Sequence, residues 1–486
     1  MKHPLFALLL LAALPAWGQT PAMPPEVAKF IRVNAPVVAL THVRVVDGTG
    51  APARDDQTIV LSGSKIQAVG DAASTAIPKG AQVLDLAGYT VLPGLVGMHN
   101  HLYDSAWLNR DPSTGRLLPP GFIVAEIPYT APRLYLAAGV TTMRTTGDVD
   151  GYTDLEVKRQ IEAGEMVGPA IDATAPYLEG PGSIFPQMHQ LTGPDDARRL
   201  VDYWADEGAT SYKAYMNITR DDLAAAIQEA HQRGFKLTGH LCSVTWPEAI
   251  ARGIDDFEHG PVFTDTEFAA GKQPDKCPSG PAGPAAWAKL DVSGPEVQGL
   301  IRDLVSHHVA VTSTLPVFDA SNINHPPNPR ALEAMAPSQL QSFLAARAGV
   351  TPEGNARTAA LIKKEMEFEH AFAQAGGLLL AGPDPTGNGG TIPGFGDWRE
   401  LELLVEAGFT PLEAIKIASY NGAQYLGRLQ QIGSIAAGKQ ADLVVVHGDP
   451  ASKIEDIEKT EIVFKKGVGY DSLKLIESVR GQVGVH

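Results

Sequence analysis

Two histidines separated by one residue, His99 and His101, close the apolar run VLPGLVGM. On a β-strand, residues i and i+2 point to the same side, so two imidazoles placed this way can grip one metal ion. Alone, such a pair is weak evidence, because core packing explains many of them. Residues of the same chemistry recur further along the chain. Lys213 interrupts the strand-like TSYKAY, His240 follows KLTG, His259 ends DDFEHG, and Asp384 follows LLLAGP. Each has a bland reading: an edge-strand lysine, a satisfied core histidine, a helix-capping aspartate. That five strand ends should all carry metal-ligating residue types by coincidence is the harder reading. Four histidines and one aspartate suit zinc, manganese, cobalt or nickel better than calcium. Lysine is ordinarily a cation and no ligand. Burial inside a strand favours its neutral amine, which can add CO2 to give a carbamate, a carboxylate-like bridge between two cations.

These residues need elements to hold them. Between residues 91 and 429 strand-like and helix-like segments alternate, with strand candidates ending near His101, Arg144, Thr174, Tyr215, Leu241, Gly260, Leu315 and Asp384. Helix candidates lie between them, such as Asp221–Arg233 and Ala356–Ala375. Eight such alternations predict parallel strands closed into a barrel, which uses about 250 residues or more and carries its catalytic groups at the C-terminal strand ends. Short strands with Gly and Asp turns fill residues 37–90 and return at 430–470, which predicts one small β-domain built from both chain ends. The expected architecture is α/β: a (β/α)8 TIM-type barrel over 91–429 with a small β-sandwich domain. A Pro- and Ala-rich linker over 19–36 and a tail over 471–486 complete the division. Two long connections, 261–295 and 316–353, are candidates for binding walls or lids. Tyr215, two residues beyond Lys213, either faces the same cavity and contacts substrate or packs as an ordinary strand aromatic.

The segments YTVLPGLVGMHNHL, LAAGVTTMRTTGD, AGPDPTG, ASYNGAQYLGRL and GSIAAGKQADLVVV, with the strands bearing Lys213, His240 and His259, resemble the amidohydrolase superfamily. The branch is that of imidazolonepropionase-like enzymes and metal-dependent prolidase-type dipeptidases. The resemblance runs from Val37 to Gly467. It implies two divalent metal ions, zinc foremost. His99, His101 and Asp384 would hold one and His240 and His259 the other, with N6-carboxylated Lys213 and a hydroxide as the bridges. Asp384 would also take the hydroxide proton and pass it to the leaving group. One departure concerns the substrate. Prolidase-like relatives carry Gly-Gly-His-Gly after the third strand, whereas this chain has PYLEGPGSIFPQMHQ. His189 either substitutes for that histidine in substrate binding or is an exposed loop residue.

The bulk numbers fit this reading. The chain has 486 residues, 44% hydrophobic and 19% charged, with a formal charge of −16 and no basic stripe. Nucleic acid is therefore not the expected partner. Lys2, the apolar run Leu5–Leu14 and Ala16-Trp17-Gly18 read as a signal peptide over 1–18, so an exported, periplasmic or secreted protein is expected. The apolar run is too short to span a bilayer. Export would permit one disulfide between Cys242 and Cys277; two free thiols are the alternative. The expected activity is hydrolysis of an amide or peptide-type bond in a small molecule, such as a dipeptide or N-acyl amino acid. A lactone, carbamate or cyclic amide on the same metals is the alternative, and a non-catalytic binding protein the third reading. The oligomeric state stays open, a homo-oligomer included.

Overall fold

The computed structural model describes residues 23–102, 111, 116, 118–119, 121–125, 129–386 and 389–484. The start read as a signal peptide lies outside them. Among the described residues no helix is long and apolar enough to cross a membrane.

Nine strands form one sheet from both chain ends. They are β1 (Ile31–Val33), β2 (Val37–Val45), β3 (Arg54–Ser62), β4 (Lys65–Asp71), β5 (Gln82–Asp85) and β6 (Tyr89–Pro93), then β15 (Leu443–His447), β16 (Thr460–Lys465) and β17 (Val468–Asp471). Their order is β1-β17-β16-β15-β6-β2-β3-β4, with β5 beside β2. The ends join where β6 pairs antiparallel with β15, Tyr89 opposite His447. Period-two alternation divides the side chains between two cores. Leu40, Ile59, Leu61, Val91, Leu443 and Val445 pack in a core belonging to the sheet itself. Leu92, Val444, Val446 and Val463 face the opposite way, into the core of the α/β part. The sheet thus anchors the rest of the chain through its second face. Parts of the expected linker and tail join this structure. Val27 and Phe30 bury around β1, and Leu475 buries from the helix Ser472–Glu477, because each segment has apolar residues to seat.

The remaining strands are parallel: β7 (Leu95–Asn100), β8 (Val140–Thr145), β9 (Ala170–Asp172), β10 (Ser211–Ala214), β11 (Lys236–Gly239), β12 (Asp256–Glu258), β13 (Ala310–Ser313) and β14 (Leu379–Ala381). They hydrogen-bond in chain order as β7-β8-β9 and β10-β11-β12-β13-β14. Parallel bridges Thr174–Ser211 and Leu178–Ala214 connect the two runs. At the other side the Asp384 N–H donates to the His99 carbonyl at 3.0 Å. Strands β7, β8, β10, β12 and β13 are buried along their full length, as parallel strands with both faces covered are.

Helices between the strands start and stop where local chemistry directs. Arg220–Gln232 begins at Thr219, whose hydroxyl accepts from the Asp222 N–H, and buries Leu223, Ala226, Ile227 and Ala230 at helical spacing. Pro352–Gln374 begins at a Thr351 cap with proline in its first turn. The two long connections contain short helices of their own. Pro261–Thr264 and Ala282–Trp287 lie in the first, Pro329–Ala334 and Pro337–Ala348 in the second. Cys242 and Cys277 are disulfide-bonded. The bridge ties the first connection to the segment just after β11, and the Thr266 hydroxyl reinforces it by donating to the Cys242 carbonyl.

Candidate metal centre

The C-terminal ends of the parallel strands bring seven of the eight singled-out residues against one cavity of about 250 Å3. His99 sits within β7 and Lys213 within β10. His101, His240 and His259 follow directly on β7, β11 and β12, and Asp384 comes three residues after β14. Tyr215 lines the same cavity. His189 does not. Its Nε2 bonds Asp196 Oδ2 at 2.9 Å, and its half-exposed side chain lines a different depression beside the helix Pro194–Glu207. The substrate-binding role expected for His189 is therefore not supported. The neighbouring acid, which also accepts from Thr192, holds it in the loop.

Donor atoms of His99, His101 and Asp384 lie within 4.8 Å of one another. Asp384 Oδ1 is 3.2 Å from His101 Nε2 and 3.4 Å from His99 Nε2. Asp384 Oδ2 is 3.6 Å from His259 Nδ1. The rings of His240 and His259 are 4.5 Å apart at their centroids, and His259 lies 4.6 Å from His99. Lys213 Nζ stands 3.3 Å from His99 Nε2. Two of these residues bend the chain to get there: His259 and Asp384 have φ of +72° and +48°. Such backbone costs of order 1–3 kcal/mol and persists where surrounding structure enforces it. The close approach of the β14 end to β7 requires glycine at position 382, where a Cβ would meet the His99 backbone nitrogen at 2.2 Å.

Partners behind the ligands fix which ring atom faces the cavity. His99 Nδ1 bonds Glu258 Oε2 at 2.6 Å, and His101 Nδ1 bonds the Gly147 carbonyl at 3.1 Å. His259 Nδ1 bonds Thr314 Oγ1 at 2.8 Å. Glu258 in turn accepts from Arg144 Nη2 at 2.8 Å and from the Thr238 hydroxyl at 2.6 Å. Arg144 Nη2 also reaches Asp256 Oδ2 at 2.9 Å. In this wholly buried chain the Glu258 carboxylate orients His99, as a carboxylate behind an imidazole does at metal sites.

Sequence reasoning missed Glu258, Arg144 and Asp256, though a signal existed. Asp256 and Glu258 share one face of a buried strand, and Arg144 interrupts another, VTTMRT. Charges there require partners of opposite sign.

Electrostatics suits the same chemistry. Burial lowers His101 to about 4 and His240 to about 3, and it holds His259 well below its ordinary value. These imidazoles are neutral near pH 7 and offer lone pairs. Burial raises the Asp384 carboxyl, but its close contacts with the surrounding imidazoles outweigh burial and hold it well below the ordinary carboxylate value. Burial lowers the Lys213 amine to about 8, so an appreciable neutral fraction exists near neutrality. Neutral imidazoles, an ionised carboxylate and a largely desolvated amine form a donor set that fits divalent metal.

The sequence matches the amidohydrolase family over residues 90–269 and 380–468, more than half of the chain. A dihydroorotase from Leifsonia xyli subsp. xyli is 29% identical over 175 residues, 35% of this chain and 33% of that enzyme, so the match spans about a third of the relative's length. The crystal structure of a Bifidobacterium longum protein assigned as a prolidase is 26% identical. It covers 91% of this chain and 98% of its own at a TM-score of 0.63. A Xaa-Pro dipeptidase with methionine bound in its active site is 20% identical, covers 90% and 100%, and gives a TM-score of 0.64; that likeness is one of fold.

Proposed function

The chain belongs to the amidohydrolase family, and on that premise we propose that it is an exported, two-metal hydrolase cleaving an amide or peptide-type bond in a small substrate. Dipeptides and N-acyl amino acids are the first substrate classes. One observation carries the reading: His99, His101, Lys213, His240, His259 and Asp384 converge on a single buried cavity at the strand ends. The proposal includes closure of the eight parallel strands into a (β/α)8 barrel, supported by the bridges from Thr174 and Leu178 and by the Asp384–His99 hydrogen bond. It includes a β-sandwich, supported by the separate core that the nine-stranded sheet builds on its inner face. It also includes the division at residues 37–90 with 430–470 and 91–429. Export is supported by the charged and apolar start and by the Cys242–Cys277 bridge, which suits an oxidising compartment.

In this reading His99, His101 and Asp384 would hold one divalent ion, and His240 and His259 would hold a second. Lys213 would add a further anionic donor as a carbamate, if its neutral amine takes up CO2 and releases a proton. Divalent metal held by these residues, zinc foremost, would supply an activated water at neutral pH and polarise a carbonyl. The Glu258 carboxylate keeps the His99 Nδ1 proton, so that Nε2 faces the cavity. Asp384 takes the proton of the attacking water as its oxygen bonds to the carbonyl carbon. It delivers that proton to the nitrogen as the C–N bond breaks. This work needs an ionised carboxylate at the outset, which the His99 and His101 contacts maintain.

A second reading, a cyclic amide as substrate, is favoured by the likeness to a dihydroorotase. Metal analysis with turnover of linear amides, cyclic amides and lactones tests both. Two bound ions with turnover of linear amides supports the first. Metal-replete protein inactive on every bond type overturns the hydrolytic reading.

A further inference from the structure

The cavity above the metal-ligand candidates has two separate aromatic walls. One comes from the segment after β9, where Tyr177, Phe185 and Met188 pack with Tyr215. The Tyr177 and Tyr215 rings lie 4.7 Å apart, and Phe185 stands edge-on to Tyr215 at 6.1 Å. The other comes from the segments after β12 and β13, where Phe263 stacks on Phe318 at 3.6 Å. Each wall touches one histidine of the second group. Tyr215 is 5.0 Å from the His240 ring, and Phe318 is 6.1 Å from the His259 ring, centroid to centroid. A bond seated at the metal-ligand candidates therefore shares its cavity with two aromatic surfaces, each beside a different histidine. Among the described lining residues, the only charged side chains are Lys213 and Asp384, both already engaged at the centre.

We infer that the preferred substrate is an amide with an apolar, ring-sized group on both sides of the scissile C–N bond, one seated on the Phe185 wall and the other on the Phe318 wall. A free dipeptide with charged termini is disfavoured. The inference rests on the hydrolytic reading above and narrows it. Ring-sized groups gain by leaving water for these walls, with added edge-to-face contacts. An ammonium or carboxylate pressed against the walls loses hydration, and the described wall residues offer it no partner of opposite sign.

Four amides of similar intrinsic reactivity test this on the metal-replete enzyme: N-methylacetamide, N-benzylacetamide, N-methyl-2-phenylacetamide and N-benzyl-2-phenylacetamide. Each ring is expected to raise kcat/KM about 10- to 100-fold. The dipeptide Phe-Phe, with two rings and free termini, is expected to fall at least about tenfold below the two-ring amide. Phe185→Leu and Phe318→Leu should each depress the two-ring amide and only one of the single-ring amides, a different one for each variant, with metal content unchanged. Equal kcat/KM across the series, or Phe-Phe as the better substrate, overturns the inference while leaving the hydrolytic reading intact. If no compound is turned over with metal bound, the hydrolytic reading fails. Calorimetric affinities of the same four amides for the wild-type protein then decide the walls, and affinities that do not rise with each ring overturn them.

Discussion

Glu258 is the residue through which the buried network acts on the metal centre, and Glu258→Gln isolates that role. The substitution keeps the shape and removes the charge that binds His99 Nδ1 at 2.6 Å and Arg144 Nη2 at 2.8 Å. Two costs follow. Arg144 keeps Asp256 at 2.9 Å, so its guanidinium is not orphaned. The stability loss should then sit near that of one charged hydrogen bond, about 1.5–3 kcal/mol, below the ~3–5 kcal/mol of a fully broken buried pair. The second cost is functional. The Gln amide can donate to His99 Nδ1 as well as accept, which admits the tautomer whose proton sits on Nε2, pointing into the cavity. Loss of such an orienting carboxylate lowers metal affinity or activity by about 10- to 100-fold. Metal affinity by chelator competition, kcat/KM at saturating metal, and urea unfolding of the metal-free protein separate the two. Weaker metal binding beyond the stability loss, improved by Glu258→Asp, supports the argument. Unchanged metal affinity alongside the stability loss would refute it and leave Glu258 a purely structural partner of Arg144.

Asp384→Asn should keep most of the metal, since an amide oxygen can still touch an ion, and lose about 100- to 10,000-fold in kcat because it cannot carry the proton; near-normal kcat in the metal-replete variant excludes Asp384 as proton carrier. Lys213→Ala should lose most metal and activity, with partial rescue by acetate or propionate, and wild-type metal loading should depend on bicarbonate; a bare amine in the fully metallated, active enzyme sinks the carbamate. Metal-free protein should lose stability as pH falls from 6.5 towards 4, because His101 and His240 bind protons in the unfolded chain before they do when folded. Each such histidine contributes up to ~1.4 kcal/mol per pH unit, and unfolding curves that coincide at pH 7 and pH 5 refute this. Replacing Cys242 and Cys277 together by serine removes a closed segment of 35 residues, worth about 4 kcal/mol on a chain-entropy basis; thermal unfolding of the oxidised protein against the variant checks it.

The ligand candidates could be singled out in the sequence because each falls at or near the end of a strand-like segment in a regular strand–helix alternation. Parallel strands put all their C-terminal ends on one side. Spacing in the chain therefore became position in space for His99, His101, Lys213, His240, His259 and Asp384, with no tertiary information needed. His189 shows where that logic stops. It lies in a loop, where no periodicity fixes a direction, and Asp196 in the following helix captured it. The aromatic walls were equally hidden, since Phe185 comes from a loop and Phe318 from the short helix Leu315–Asp319, more than a hundred residues apart. So was the chain from Arg144 to Glu258 to His99, which joins three strands far apart in sequence. Local patterning determines which residues face the end of a strand. Which charges meet in the buried interior is decided only when the strands assemble, because desolvated charges must then find partners among whatever the neighbouring strands present.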